Sequence, residues 1–323
     1  MNPVTRNEIF LAAAGGGDVP QLTPVTREEM FLAKAAGFDV RELEPKTQKE
    51  IFLSKLSGGG GGGGTTEENW FDDGNTHIWI NLVEGRTNPM VGICVKGTAT
   101  VDWGDGTEPD ILTGTIETTT TVYTPNHQYA SAGDYVITLY GDGNVGVVGN
   151  SSNGCTLVCF TSSPYDNLNN SAKRCIKRVE IGTNVTFIGN YAFQYCSGMV
   201  SAKIHSGATS IGSKAFSSCA QMTSVEIPDS VTEIKSSAFE TCSRLATIKI
   251  PNSVTSIASN AFYGCYGAVC YDFTQHTAVP PLSDTNVFRH CPSDCQIRVP
   301  SALVDEWKAA TNWSTYADYI VGV

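Results

Sequence analysis

Thr209-Ser-Ile-Gly-Ser-Lys-Ala-Phe-Ser-Ser-Cys-Ala-Gln-Met-Thr-Ser-Val-Glu-Ile-Pro-Asp-Ser-Val231 is one turn of a pattern that recurs every twenty-three residues. Ile188, Ile211, Ile234 and Ile257 share one place in it, Phe193, Phe216, Phe239 and Phe262 a second, and Cys196, Cys219, Cys242 and Cys265 a third. A fixed short period marks a solenoid, whose unit cannot bury its own apolar face and is stable only when stacked on its neighbours. This half of the chain therefore presents a surface rather than a pocket. Val225 and Ile227 alternate with Ser224 and Glu226, the period-two signature of a half-buried strand. Val179/Ile181, Ala202/Ile204, Ile248/Ile250 and Tyr271/Phe273 hold the matching places. Pro228-Asp229 or Pro251-Asn252 then turns the chain, and Ala-Phe-x-x-Cys packs inward.

The order Ile, Ala-Phe, Cys and then Leu-x-x-Ile-x-Ile-Pro-x-Ser-Val, running from Ile234 to Val254, resembles the BspA-like (type 5) leucine-rich repeats of bacterial and phage surface proteins. The resemblance covers residues 172–323, within a solenoid domain assigned to 166–323, and implies one short parallel strand per coil. On those strands the outward residues Lys203, His205, Ser224, Glu226, Thr247, Lys249, Asp272 and Thr274 differ in charge and size. They are the expected ligand-binding positions; the alternative is a rigid spacer with a plain polar face. Phe288 follows Phe262 by twenty-six residues, so the last coil departs from the period. Beyond Val299-Pro300, the segment Ser301–Lys308 places Leu303, Val304 and Trp307 on one helical face. With Trp313, this helix is expected to cap the open end of the stack, as solenoids require.

Residues 65–165 are poor in Lys and Arg and rich in Thr, Gly and Asp. Alternating runs such as Val91–Val95 and Tyr135–Tyr140 predict an all-β module. Val101-Asp-Trp-Gly-Asp-Gly-Thr107 and the later His127-Gln-Tyr129 with Gly133-Asp-Tyr135-Val-Ile137 resemble the paired signatures of PKD-like immunoglobulin-type sandwiches, where they serve structure. Asp102, Asp105, Glu108 and Asp110 invite a calcium reading, because hard cations want several oxygens close together. Their spacing lacks the oxygen positions and terminal bidentate Glu of an EF-hand loop. Gly104 and Gly106 answer instead to a need for positive φ in a tight hairpin. Asp102 and Asp105 stand as a weak calcium candidate, and no metal is assigned.

Residues 1–57 hold a second repeat, of twenty-one residues. Pro3-Val-Thr-Arg-Asn-Glu-Ile-Phe-Leu-Ala12 returns as Pro24–Ala33 and again as Pro45–Ser54. In each copy a Thr (Thr5, Thr26, Thr47) precedes a Glu by three positions, a capping box that starts a short helix. Gly15, Gly37 and Gly58 punctuate the ends. Helices this short are marginal alone. The clusters Ile9-Phe10-Leu11, Met30-Phe31-Leu32 and Ile51-Phe52-Leu53 must therefore dock, either on each other as a mini-bundle or as three copies of one docking peptide on an oligomeric partner. The Pro-Val-Thr-Arg-x-Glu-Met-Phe-Leu-Ala segment resembles those that open tail or head appendage proteins of gut phages. Gly58–Gly64 is a run of glycines, a flexible linker of about 15 Å end to end.

The chain of 323 residues carries 32 acidic and 21 basic residues, a net charge of −11, which disfavours a nucleic-acid partner. No stretch of eighteen apolar residues exists to span a membrane. Met1-Asn-Pro-Val-Thr5 shows neither the basic region nor the apolar core of a secretory signal, which favours assembly in a cytoplasm over export. Of the 11 cysteines, Cys196, Cys219, Cys242 and Cys265 are expected as a buried ladder of free thiols. Cys155/Cys159 and Cys291/Cys295, four residues apart, leave a bridge or a metal open. The five histidines (His77, His127, His205, His276, His290) fall in separate segments, and no nucleophile elbow, His-Glu-x-x-His or phosphate loop occurs. No catalytic residue and no cofactor is assigned.

The resulting fold class is mixed and mainly β: short N-terminal helical repeats, an Ig-like sandwich and a leucine-rich repeat solenoid. The resemblances imply a non-enzymatic phage virion appendage, anchored to other virion proteins by its N-terminal repeats and binding a host cell-surface glycan or protein through the solenoid, with homo-oligomerisation open. The alternatives are a bacterial surface or extracellular adhesin and a structural capsid decoration or neck protein.

Overall fold

The computed structural model describes residues 70–84, 89–91, 93–115, 125, 127–141, 145–147, 158–160 and 175–323. The three N-terminal repeats, the glycine run and Cys155 lie outside the described residues. Trp70–Trp103 and Thr107–Val323 form one compact unit, and it is mainly β.

Its first strands are β1 (Thr76–Leu82), β2 (Pro89–Val91), β3 (Ile93–Asp102), β4 (Asp110–Thr115), β5 (Gly133–Gly141), β6 (Val145–Val147) and β7 (Val158–Phe160). All pairings among them are antiparallel: β1 with β5, β5 with β3, β3 with both β4 and β6, and β2 with β7 as a separate pair. The β3–β4 turn carries Gly104 at φ 76° and Gly106 at φ 88°, the positive φ values that its sequence requires. Trp103 is buried beside that turn. Its indole N–H donates to Asp110 Oδ2 at 2.9 Å, the Tyr129 hydroxyl donates to its carbonyl at 2.6 Å, and His127 stacks on its ring at 5.2 Å. Tyr129 in turn packs on Tyr135 at 4.2 Å. The two signatures thus meet as one structural corner, and one carboxylate of the weak calcium reading, Asp110, is a hydrogen-bond acceptor for an indole.

The later strands are β8 (Ile176–Ile181), β9 (Val185–Ile188), β10 (Ser201–Ile204), β11 (Ser210–Ile211), β12 (Ser224–Glu226), β13 (Glu233–Ile234), β14 (Thr247–Lys249), β15 (Ser256–Ile257), β16 (Cys270–Asp272), β17 (Gln296–Val299) and β18 (Ile320–Gly322). The even-numbered strands with β17 build one parallel face, paired as β8–β10–β12 and β14–β16–β17–β18. A second parallel ladder, β9–β11–β13–β15, comes from the Ile188, Ile211, Ile234 and Ile257 positions.

Between the ladders the repeated residues superpose coil on coil. Phe193, Phe216, Phe239, Phe262 and Phe288 are fully buried and stack at 5.1, 5.3, 5.3 and 5.6 Å. Each ring contributes roughly 1.5–3 kcal/mol by burial. The buried cysteines are free thiols with a specific job. Cys219, Cys242 and Cys265 donate to the carbonyls of Phe193, Phe216 and Phe239 in the preceding coil, at 3.2, 3.1 and 3.3 Å.

The Ala-Phe turn is held in place by the next coil. The amides of Tyr191, Phe193 and Tyr195 bond to the carbonyls of Ser213, Ala215 and Ser217, and later coils repeat the arrangement. Bonding in this direction requires left-handed backbone at two places per coil. Tyr191, Lys214, Ser237 and Asn260 occupy one such column, and Tyr195, Ser218, Thr241, Gly264 and His290 the other. Left-handed φ costs about 1–2 kcal/mol for a residue with a Cβ. The inter-coil hydrogen bonds offset it. Gly212 answers a different constraint: a Cβ there would lie 2.5 Å from the backbone carbon of Gly189.

Each end of the stack is closed. At the start, β1 pairs antiparallel with β8, and β6 pairs parallel with β9, so both solenoid ladders continue into the preceding strands. Ile78, Ile80, Val101, Trp103, Ile137 and Leu139 belong to the same hydrophobic core as the repeat residues. At the other end the expected helix is a 3-10 turn, Ser301–Leu303, running into α1 (Val304–Ala309). Trp307 and Trp313 are buried with ring centroids 4.5 Å apart, over Phe273 and Phe288. The Trp313 indole N–H donates to the Pro280 carbonyl at 2.7 Å.

Candidate functional site

The outward positions of the parallel face form two columns, because a parallel ladder sets equivalent residues side by side about 4.8 Å apart. One column is Ser201, Ser224, Thr247, Cys270 and Gln296, with Arg178 ahead of them. The other reads Glu180, Lys203, Glu226 along β8–β10–β12 and continues in the next sheet as Lys249, Asp272, Arg298 along β14–β16–β17. Its charge alternates at every step. Opposite charges side by side contribute roughly 0.2–1 kcal/mol per pair and like charges cost as much, so the column stabilises the stack while leaving little net field. Reading the twenty-three-residue period through this column, as was done for Ile, Phe and Cys, exposes the alternation in the sequence.

The structure separates the expected ligand-binding positions into two groups. Ser224, Glu226, Thr247 and Lys249 are exposed, and Asp272 is half-buried with its Oδ1 accepting the Thr274 amide at 2.9 Å. Lys203 and His205 are not open to solvent in the same way: each side chain is only 18% exposed. The Lys203 ammonium pairs with the Asp72 carboxylate. His205 Nε2 lies 2.9 Å from Glu180 Oε1 and 3.6 Å from Asp72 Oδ1. Sequence reasoning placed both residues on the open face because it took the strand alone. The segment just before β1 folds over the first coils and covers them.

Glu180 is the centre of that cover. It sits at an outward position yet is buried, and its two oxygens accept the backbone amides of Phe71 at 2.9 Å and Asp72 at 2.8 Å. Burial raises the Glu180 pKa, but the hydrogen bonds from His205 and from the two amides outweigh it, and the net shift is downward. Beside it the Arg178 guanidinium faces two indoles set edge to face, 4.3 Å from Trp70 and 4.6 Å from Trp79, a double cation–π contact. Asp73 accepts from His77 Nε2 at 2.9 Å, and the buried His77 ring also meets Thr138 at 3.1 Å. Burial raises the Asp73 pKa as well; His77 and the Asn75 amide overcome this and hold it at about 2.

Asp72, Glu180 and His205 bring three ligand-type atoms within 4.8 Å of one another, a grouping that Asp102 and Asp105 do not share. A mixed carboxylate and imidazole set is chemically suited to a divalent transition metal. Here the Lys203 ammonium already neutralises Asp72 and backbone amides take up both oxygens of Glu180. The cluster is an ionic latch that holds the entering segment on the solenoid.

Comparison with known proteins agrees with this geometry. Residues 169–295 match the BspA type Leucine rich repeat region, in 6 copies. Residues 169–295 are a BspA type leucine rich repeat region. No curated protein matches the chain. Solved structures similar to it include a leucine rich cell surface protein from Faecalibacterium prausnitzii, at 24% identity and TM-score 0.35, covering 45% of this chain and 36% of that one. The leucine-rich repeat protein TpLRR of T. pallidum is 24% identical, with TM-score 0.33 over 39% of this chain and 64% of its own. A leucine-rich repeat protein from Bacteroides ovatus is 19% identical, with TM-score 0.37 over 55% and 42%. The chain therefore spans less than two thirds of each of these relatives. Among the described residues no helix is long and apolar enough to cross a membrane.

Proposed function

We propose that the protein is a non-enzymatic surface adhesion module whose BspA-type solenoid displays the parallel-strand face to a ligand. The observation that carries this reading is the face itself. Ser224, Glu226, Thr247 and Lys249 are exposed and varied, while the residues that alternate with them are buried and repeat. The alternating charge column makes this an electrically balanced surface, suited to hydroxyl-rich or mixed-charge ligands such as a cell-surface glycan or protein.

The finer reading is a phage virion appendage in which the PKD-like strands serve as spacer and end cap and the helical repeats at 1–57 attach to other virion proteins. The resemblance of Pro24–Ala33 to segments of phage appendage proteins supports it. A bacterial surface adhesin is the second reading, since BspA-like repeats resemble those of bacterial and phage surface proteins alike. The test uses the full chain, a variant lacking residues 1–57, and a variant carrying Ser224→Ala, Glu226→Ala, Thr247→Ala and Lys249→Ala. The four-fold variant is expected to lose at least about tenfold in binding to intact bacterial cells, about 1.4 kcal/mol, while melting like the parent. Loss of particle association on removing residues 1–57, with cell binding retained, supports the virion reading. Unchanged cell binding by the four-fold variant refutes the role of the face.

A further inference from the structure

The cover over the first coils sets an amine against a carboxyl group, beside a second carboxylate and an imidazole that can carry protons. Lys203 and Glu180 are register partners on the adjacent parallel strands β10 and β8, so they stand side by side on one face. Asp72 is fixed over them by backbone bonds: its amide donates to Glu180 Oε1 at 2.8 Å and the Phe71 amide donates to Oε2 at 2.9 Å. Lys203 Nζ meets Asp72 Oδ1 at 2.5 Å. His205 Nε2 lies 2.9 Å from Glu180 Oε1 and 3.6 Å from that same Asp72 oxygen. Glu180 is buried, Lys203 is mostly covered, and its ammonium lies 5.9 Å from the Trp70 ring centroid. An ion pair on an open surface must itself pay the entropy of ordering two long side chains. Here strand register and backbone hydrogen bonds already hold both partners.

We propose that Lys203 and Asp72 condense to an intramolecular isopeptide bond, Nζ to Cγ, which makes the latch covalent. The reaction expels one water and needs no co-reactant. The Lys203 ammonium first passes one proton to the Asp72 carboxylate it touches, leaving an amine against a carboxylic acid. The nitrogen lone pair attacks Asp72 Cγ, and the C=O π pair moves onto its oxygen. Glu180 takes the surplus proton from Nζ and hands it to His205 Nε2 as that nitrogen delivers its own proton to the departing hydroxyl. The oxygen lone pair re-forms the carbonyl, the C–O bond breaks, and water leaves. Glu180 and His205 end as they began. Hydrogen bonds from His205 and the two amides keep Glu180 in the ionised form from which this relay starts. Amide formation between separated groups is unfavourable in water, but reactants held in contact reach effective concentrations of about 10⁵–10⁸ M. The exposed side of Asp72 gives the released water an exit. The bond encloses residues 73–202, so tension along the chain passes across it and leaves β1 to β9 unloaded. This inference rests on the latch and is independent of the ligand that the strand face binds.

The test weighs the native full-length chain and its tryptic peptides. Linked protein is one water lighter than its sequence. Trypsin cuts after Lys55, Arg86, Arg178 and Lys214 but not after a linked Lys203, so residues 56–86 and 179–214 are expected as one branched peptide. Fragmentation is expected to place the branch between Asp72 and Lys203. Lys203→Arg keeps the cation without the amine, and is expected to show full mass while the Phe71 and Asp72 amides stay protected from hydrogen exchange. His205→Gln still donates to Glu180 but exchanges no proton. Sampled at intervals after cell-free synthesis, it is expected to link about a hundredfold more slowly than the parent. A parent chain that keeps its full mass and is cut after Lys203 overturns the proposal. So does a branch at Asp73, or a His205→Gln chain that links at the parent rate.

Discussion

Replacing Glu180 is the sharpest probe of how the entering segment is held on the solenoid. The carboxylate accepts three hydrogen bonds, from the Phe71 and Asp72 amides and from His205, at 2.8–2.9 Å. Bonds to a charged group are worth about 1.5–3 kcal/mol each, but they are not additive and water enters once the latch opens. Removing one partner of a buried charge network costs about 3–5 kcal/mol, and that is the expected effect of Glu180→Ala. Glu180→Gln keeps the volume and one acceptor, yet turns an NH2 toward an amide N–H, so it is expected to lose at least about 2 kcal/mol through the unsatisfied donor. Solenoids unfold in segments, so a single melting curve blurs the effect. Hydrogen exchange over residues 70–82 is the decisive assay: Phe71 and Asp72 should lose roughly a hundredfold or more of their protection, with the Phe239 and Phe262 coils unchanged. If Glu180→Gln melts and exchanges like the parent, the charge of Glu180 is irrelevant and the latch argument is wrong.

Four further outcomes follow from the same geometry. Lys249→Glu sets a like charge beside Asp272 on the paired strand and should cost about 0.2–1 kcal/mol at low salt, less at high salt, in paired denaturation curves. Gly212→Ala drives a Cβ to 2.5 Å from backbone and should cost more than about 2 kcal/mol, whereas Gly264→Ala, with its nearest neighbour at 3.5 Å, should cost only the left-handed φ, about 1 kcal/mol. Phe239→Ala should cost about 3–5 kcal/mol, and in a double-mutant cycle it should couple to Phe216→Ala but not to Phe288→Ala, with which it shares no ring contact. Asp73 and Glu180 have lowered folded pKa values. The unfolded chain therefore takes up protons first, and stability present above about pH 4 should fall as pH drops toward 2, measured by acid titration of tryptophan fluorescence.

The solenoid was legible because its determinants are local and repeated. Every coil places Ile, Phe and Cys at the same offsets, so the two parallel ladders and the stacked core follow from one unit, and Trp307 and Trp313 mark the far cap by their size. The junction was not legible, for a physical reason. Whether β1 joins β8 and β6 joins β9 is decided by which sheet edges are left unpaired, and no residue within those strands encodes it. The same reason hides the latch: Lys203 and His205 read as an open polar face until the Trp70–Asn75 segment lies across them. The place of Cys291 in the cysteine ladder is concealed by the twenty-six-residue last step.

The two ends of the stack meet the same demand by different chemistry, and this bears on where a ligand can bind. A solenoid must cover its terminal apolar layers. At the far end tryptophans do so with little polar involvement, leaving the strand face beside them open at Arg298. At the near end strand pairing extends the core, but it also brings a buried carboxylate, a guanidinium against two indoles and an ammonium onto the face. These groups are satisfied by the covering segment rather than by solvent. A ligand that reached Lys203 and His205 would have to displace Asp72 and break bonds already made to Glu180. The coils beyond carry no such cost, so recognition is expected to centre on Ser224, Glu226, Thr247 and Lys249, with Lys203→Ala weakening stability before it weakens binding.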